Sequence, residues 1–130
     1  MTTTDCMKSN LSILIGNAFP LSLVRRPVRI VPATLEELHA AAKGKRVVSF
    51  WGHANTLAQA ERFCGLPLAP GNDRPAIQLQ ESGLPSLVGQ TFCECWILSP
   101  DYIQNLRPAV GEEVPAEHIG GWTVLKITWE

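Results

Sequence analysis

The sequence carries little charge and no real surplus of either sign. Eleven Lys and Arg stand against twelve Asp and Glu in 130 residues, a formal net charge of −1 with His neutral. A protein that grips DNA or RNA along its length needs a clustered basic face. A long nucleic acid is therefore not the expected partner, while a small anion, which a few local donors satisfy, stays open. Long hydrophobic runs are also missing. The most apolar stretch, Leu11 to Val24, is interrupted by Gly16, Asn17 and Pro20 and falls short of the ~20 residues that span a bilayer, so no membrane partner is expected. Asp5 precedes a lone Lys8, which is not the layout of a secretory leader. Cysteines are few, at 6, 64, 93 and 95. Only Cys93 and Cys95 are close, and a one-residue gap is poor geometry for an internal disulfide. There is no CxxC pair to suggest zinc. Reduced thiols and a cytoplasmic location are the expectation. GxGxxG, GxxxxGK[ST], HExxH and GxSxG are all absent, which leaves nucleotide-cofactor, zinc-protease and serine-hydrolase readings without a motif. No metal and no cofactor is expected.

What is present is a chain of one domain's length with a 45% hydrophobic share. A domain of this size buries roughly two thirds of its unfolded surface, so a core without staples is feasible. Residues 1–10 read as a flexible polar lead-in and 11–130 as a single domain. Ten Gly and ten Pro point to many turns and to function carried on loops. Leu11 to Ile15 is a compact apolar run closed by Gly16-Asn17, the pattern of a buried strand and a turn. Val28 to Val31 alternates as a second strand. Thr34 with Glu37 makes a capping box that opens a helix over ~34–43, stopped by Gly44 with Lys43 beside it. Arg46 to Trp51 is the next strand. Asn55-Thr56 can cap a second helix over ~55–64, ending at Gly65. Ala76 to Gln80 alternates as a strand, Thr91 to Leu98 is rich in strand formers, Ser99 to Gly111 reads as irregular, and Trp122 to Trp129 closes the chain as a strand. About six strands and two helices in this order predict an α/β class: a mixed β-sheet flanked by two main helices in a single small domain.

The most reactive pattern is Ser49-Phe50-Trp51-Gly52-His53-Ala54-Asn55-Thr56. It is a strand–loop–helix junction, where backbone N–H groups and the positive end of a helix meet an anion. Gly52 permits close approach of a ligand, Thr56 adds a hydroxyl, and His53 can move a proton near neutral pH. The plain alternative is a structural loop histidine beside a capping threonine. Asn17 follows the first strand, where ligands of α/β sheets often sit; it is otherwise a turn asparagine. Gln90 after Gly89 can hydrogen-bond a base or sugar, or merely fill a strand. Arg107 is a candidate phosphate donor or an ordinary surface arginine. Glu94, Glu112 and Glu113 are general-base candidates or solvated charges. His39 in the first helix and His118 in a polar turn read as solvated.

Taken together, these pieces resemble the small ring nucleases of archaeal viruses, phages and bacteria, which degrade cyclic tetra-adenylate, the second messenger of type III CRISPR immunity. The likeness runs through Leu14-Ile15-Gly16-Asn17-Ala18-Phe19, the Gly52-His53 segment with Thr56 three residues on, Phe63-Cys64-Gly65-Leu66-Pro67, Pro70 to Arg74 leading into Ile77-Gln78-Leu79, and Leu87-Val88-Gly89-Gln90. It covers roughly residues 11–90 and the last strand. The resemblance implies metal-independent cleavage of a cyclic oligoadenylate, with His53 catalytic, Asn17, Thr56 and Gln90 as ligand contacts, and a homodimer whose two-fold axis suits the ring. The chain departs from the family at one place. An Arg-Leu-x-Glu segment usually follows the Gln, supplying a binding arginine and a catalytic glutamate. Here Gln90 is followed by Thr91-Phe92-Cys93-Glu94, the nearest downstream arginine is Arg107, and Val110 stands where the glutamate would be. The glutamate role then passes to Glu94 or Glu112, or is lost. Two non-enzymatic readings stay beside this one: a protein that binds a cyclic oligonucleotide without cutting it, and an interaction module that inhibits a defence complex.

Overall fold

Ser12–Gly16 forms β1, and all five of its residues are buried. An unbroken apolar run of this kind suits a strand covered on both faces. The structure, a computed structural model, describes residues 12–19, 22, 24–51, 54–69, 78–79, 83–87, 90–102 and 119–129. After β1 come β2 (Val28–Ala33), α1 (Leu35–Ala42), β3 (Arg46–Ser49) and α2 (Ala54–Cys64). The short strands β4 (Gln78–Leu79), β5 (Pro85–Leu87) and β6 (Gln90–Thr91) follow, then the long strands β7 (Glu94–Tyr102) and β8 (Ile119–Trp129). Five strands make the main sheet in the order β2-β8-β7-β1-β3. β1 runs parallel to both β3 and β7, while β8 is antiparallel to β7 and to β2. The sheet is thus mixed, with β8 alone reversed, and the fold is a single small α/β domain.

The capping box reads as the sequence predicts. Glu37 N–H donates to the Thr34 hydroxyl at 3.1 Å, and Thr34 N–H donates to Glu37 Oε1 at 3.0 Å. Both donors would otherwise be left open at the helix start. Leu38 and Ala42 are buried on the inner face of α1, and Gly44 at φ 73° turns the chain out, a conformation glycine adopts without strain. α2 ends in the same manner: Gly65, at φ 71°, donates its N–H to the Glu61 carbonyl at 2.8 Å.

Alternation along the strands divides the core in two. Ile13, Ile15, Trp96, Leu98 and Val124 face the helices and pack with Leu38, Ala42, Ala60 and Cys64. Leu14, Val48, Cys95, Ile97, Ile127 and Trp129 face the other way and pack with Leu84, Leu87 and Phe92. These last three flank or belong to a second, three-stranded sheet, β4-β5-β6, which covers the face away from the helices. Phe63 stacks on Trp122, centroids 5.5 Å apart, and fastens α2 to β8.

Several expectations are corrected. Ser99 to Tyr102, predicted as irregular, belong to a strand: β7 continues to Tyr102 and pairs with β8, and the rest of that predicted region, 103–111, lies outside the described residues. Pro100 is tolerated there because β1 pairs with β7 only as far as Ile97, so beyond that point β7 has one ladder and Pro100 withholds its missing N–H from the open side. β8 likewise starts at Ile119 rather than Trp122. α2 begins at Ala54, so Thr56 lies inside the first turn and is not its cap. His39 is exposed by area yet is not simply solvated: its Nε2–H donates to the Cys64 carbonyl at 2.5 Å, tying α1 to the last residue of α2. The lead-in at 1–10 and the Pro70–Asp73 loop lie outside the described residues.

Candidate functional site

The site grows from the place where β1 and β3 leave the sheet side by side. They are parallel neighbours in the register Ile15↔Ser49, and Phe50 N–H continues the ladder by donating to the Ile15 carbonyl at 3.0 Å. Adjacent strands lie about 4.8 Å apart, so Gly16-Asn17 and Phe50-Trp51 emerge together at the carboxyl ends of parallel strands. That is where ligands of α/β sheets collect. Gly16 is required here for a packing reason. A Cβ on it would stand 2.2 Å from the Phe50 ring, so the ring lies directly against the Gly16 backbone. Asn17, next along, is half-buried.

Past Phe50 the chain is pinned by a chain of buried polar contacts. Ser49 Oγ donates to the Leu68 carbonyl at 2.6 Å and accepts from Trp51 N–H at 3.2 Å. Trp51 Nε1–H donates to the Thr56 hydroxyl at 3.3 Å. Leu68 N–H in turn donates to Glu61 Oε2 at 2.8 Å. Ser49, Trp51 and Thr56 are 7%, 3% and 2% exposed. Buried hydroxyls hold a fold in place only when bonded, and these bonds fix both flanks of the Gly52-His53 segment: Trp51 before it and Thr56 after it. His53 itself lies outside the described residues. The Thr56 hydroxyl, offered by the sequence as a ligand contact, is turned into the protein and engaged by the Trp51 indole.

The other candidates are distributed differently. Glu94 opens β7. Its Oε2 accepts from Trp96 Nε1–H at 2.9 Å, and its Oε1 lies 3.3 Å from Lys126 Nζ. Lys126 in turn sits over the Trp96 ring, 5.6 Å from its centroid. Trp96 is level with Ile15, so Glu94 is level with Ile13, three strand residues or ~10 Å below Gly16. Glu94 thus stands toward the amino end of the parallel strands, away from Asn17 and Thr56. Gln90 is paired in β6 with Leu87 of β5, in the second sheet. Arg107, Glu112, Glu113 and His118 lie outside the described residues. What the sequence reading missed is the brace of Ser49, Trp51 and Glu61. Its visible sign is polar side chains set in an otherwise apolar strand and helix face.

Burial pushes the Cys64 thiol up and the Cys95 thiol well up, which disfavours the reactive thiolate. Cys64, Cys93 and Cys95 are not disulfide-bonded. Among the described residues no three His, Cys, Asp or Glu side chains gather as metal ligands would, and no helix is long and apolar enough to cross a membrane. The chain matches no protein-family model and no curated protein.

Proposed function

We propose that this protein binds a cyclic oligoadenylate, cyclic tetra-adenylate being the ring of choice, at the carboxyl ends of β1 and β3, and opens it with His53 as the general acid. One observation carries the reading. Asn17 and the pinned residues that flank His53 in the chain leave the sheet at one end of two adjacent parallel strands. The resemblance to ring nucleases expects its asparagine and histidine to share a site, and the strand register supports this.

The chemistry needs no cofactor. The ribose 2′-hydroxyl attacks its own 3′-phosphorus and loses its proton to water, the bond from phosphorus to the 5′-oxygen breaks, and protonated His53 gives its proton to that departing oxygen. The product carries a 2′,3′-cyclic phosphate. Positioning the 2′-oxygen in line supplies much of the acceleration, and donors near the phosphoryl oxygens steady the charge that gathers there. A ring of four nucleotides has two-fold symmetry, so a homodimer would present His53 from each subunit to opposite phosphates.

A second reading is favoured by Glu94. Its carboxylate is held between Trp96 and Lys126 and stands toward the other end of the strands, so it supports no acid near the ring. A protein that captures the messenger and cuts it slowly, or not at all, fits this arrangement. Calorimetry with cyclic tri-, tetra- and hexa-adenylate tests both readings. Saturable heat with the tetramer is expected. Absence of heat with all three rings would remove the cyclic-nucleotide reading and leave the interaction module.

A further inference from the structure

The hydrogen bonds beside the candidate site form a closed circuit that starts and ends on α2. Glu61 Oε2 accepts from Leu68 N–H at 2.8 Å. The Leu68 carbonyl accepts from Ser49 Oγ at 2.6 Å, and Ser49 Oγ accepts from Trp51 N–H at 3.2 Å. The Trp51 indole N–H then reaches the Thr56 hydroxyl at 3.3 Å. Thr56 and Glu61 belong to the same helix, so the backbone of α2 closes the loop. Ser49 is further held in register with Ile15 of β1. Linked bonds in a low-dielectric interior reinforce one another, so loosening one link loosens the next. Residues 52–55 span the arc between Trp51 and Thr56, and the ends of that arc are set by every link.

Glu61 is the charged member of this circuit. The apolar packing of α2 runs through Leu57, Ala60, Phe63 and Cys64, a set to which Glu61 adds nothing. What it adds is the clasp on Leu68, a charge-assisted bond of roughly twice the strength of a neutral one. Leu68 is itself buried, and its peptide groups are held on both sides, by Glu61 and by Ser49. We propose that Glu61 is a positioning residue: by holding Leu68, and through it Ser49 and Trp51, it fixes the ends of the arc that carries His53. The assignment rests on the ring-opening reading. A general acid acts only within hydrogen-bond reach of the departing oxygen, and a displacement of about 1 Å can cost about 10²-fold in rate.

The test compares the full chain with Glu61→Ala and Glu61→Gln, using cyclic tetra-adenylate as substrate and NMR hydrogen exchange at the Trp51 amide as a second readout. Glu61→Ala removes the acceptor. It should lower kcat by about 10- to 100-fold with KM within about twofold, the split expected when an interaction made in the transition state is disturbed. Exchange of the Trp51 N–H should quicken in the same variant. Glu61→Gln keeps an acceptor for Leu68 N–H and should restore both kcat and slow exchange. If circular dichroism shows Glu61→Ala unfolded, Glu61→Asp, whose carboxylate falls one carbon short of Leu68, takes its place with the same split expected. Wild-type kcat in the folded Ala or Asp variant, failure of Gln to restore it, or unaltered Trp51 exchange overturns the positioning role and leaves the ring-opening reading standing. A wild type that leaves cyclic tetra-adenylate intact overturns that reading, and the positioning role with it.

Discussion

At the residue scale, two side chains have roles fixed by their immediate neighbours. Gly16 reads from sequence as the end of a strand in a ligand loop, but its necessity comes from the Phe50 ring, which would meet any Cβ at 2.2 Å. Gly16→Ala should cost about 1–3 kcal/mol in denaturant unfolding, the usual penalty of overpacking. Phe50→Leu in the same chain should recover part of that loss, because the two sites are in contact and not additive. An unaltered midpoint for Gly16→Ala would contradict the close packing. Glu94 is the second case. Its ion pair with Lys126 involves side chains about one third exposed, so the charge contributes at most about 1 kcal/mol. The hydrogen bond from the buried Trp96 indole matters more. Glu94→Gln keeps an acceptor and should shift stability by less than about 1 kcal/mol, whereas Glu94→Ala should cost about 1–3 kcal/mol. Turnover of the cyclic ring, if measured alongside, should survive Glu94→Gln. Loss of turnover with the fold intact would return Glu94 to the catalytic machinery.

At the element scale, the helices were the most legible parts of the chain. α1 announces itself through local signals, Thr34, Glu37 and Gly44, whose chemistry acts within a few residues and needs no tertiary partner. Thr34→Ala removes the cap and should cost about 1 kcal/mol in thermal or denaturant unfolding. The small second sheet was legible only in part: β4 lies inside the alternating stretch Ala76 to Gln80. Strands of two or three residues, such as β5 and β6, are too short to show an alternating period. The continuation of β7 through Pro100 was equally hidden, since proline reads as a stop unless one knows that the strand has a single neighbour there. The junction between β3 and α2 lies between these extremes. The strand, the turn and the helix could be read, but not that Thr56 points inward to Trp51. Thr56→Val keeps the shape and removes that acceptor from a buried indole N–H, which should cost about 1–3 kcal/mol. Thr56→Ser, which retains a hydroxyl, should cost less. Equal losses for the two variants would show that the hydroxyl is not what holds the junction.

At the scale of the whole molecule, the architecture decides which candidates can act together. Alternation and strand order set the helices on one face and the small sheet on the other, and the parallel register of β1 and β3 brings Asn17 beside the flanks of His53. The α/β class and the order of its main elements follow from apolar runs and helix caps. The role of an acidic residue such as Glu94 does not, because it depends on Trp96 and Lys126, the latter brought alongside only when β8 pairs with β7. The proposed opening of a cyclic oligoadenylate by His53 is tested by turnover itself. Wild type and His53→Ala are incubated with cyclic tetra-adenylate, and the products are separated by chromatography. Linear products ending in 2′,3′-cyclic phosphates are expected for wild type. His53→Ala should still bind the ring, remain folded by circular dichroism, and cut it about 10²- to 10⁴-fold more slowly, the usual cost of losing a proton donor. Equal cleavage by the two proteins, or an intact ring with wild type under conditions where it binds, would contradict a catalytic His53.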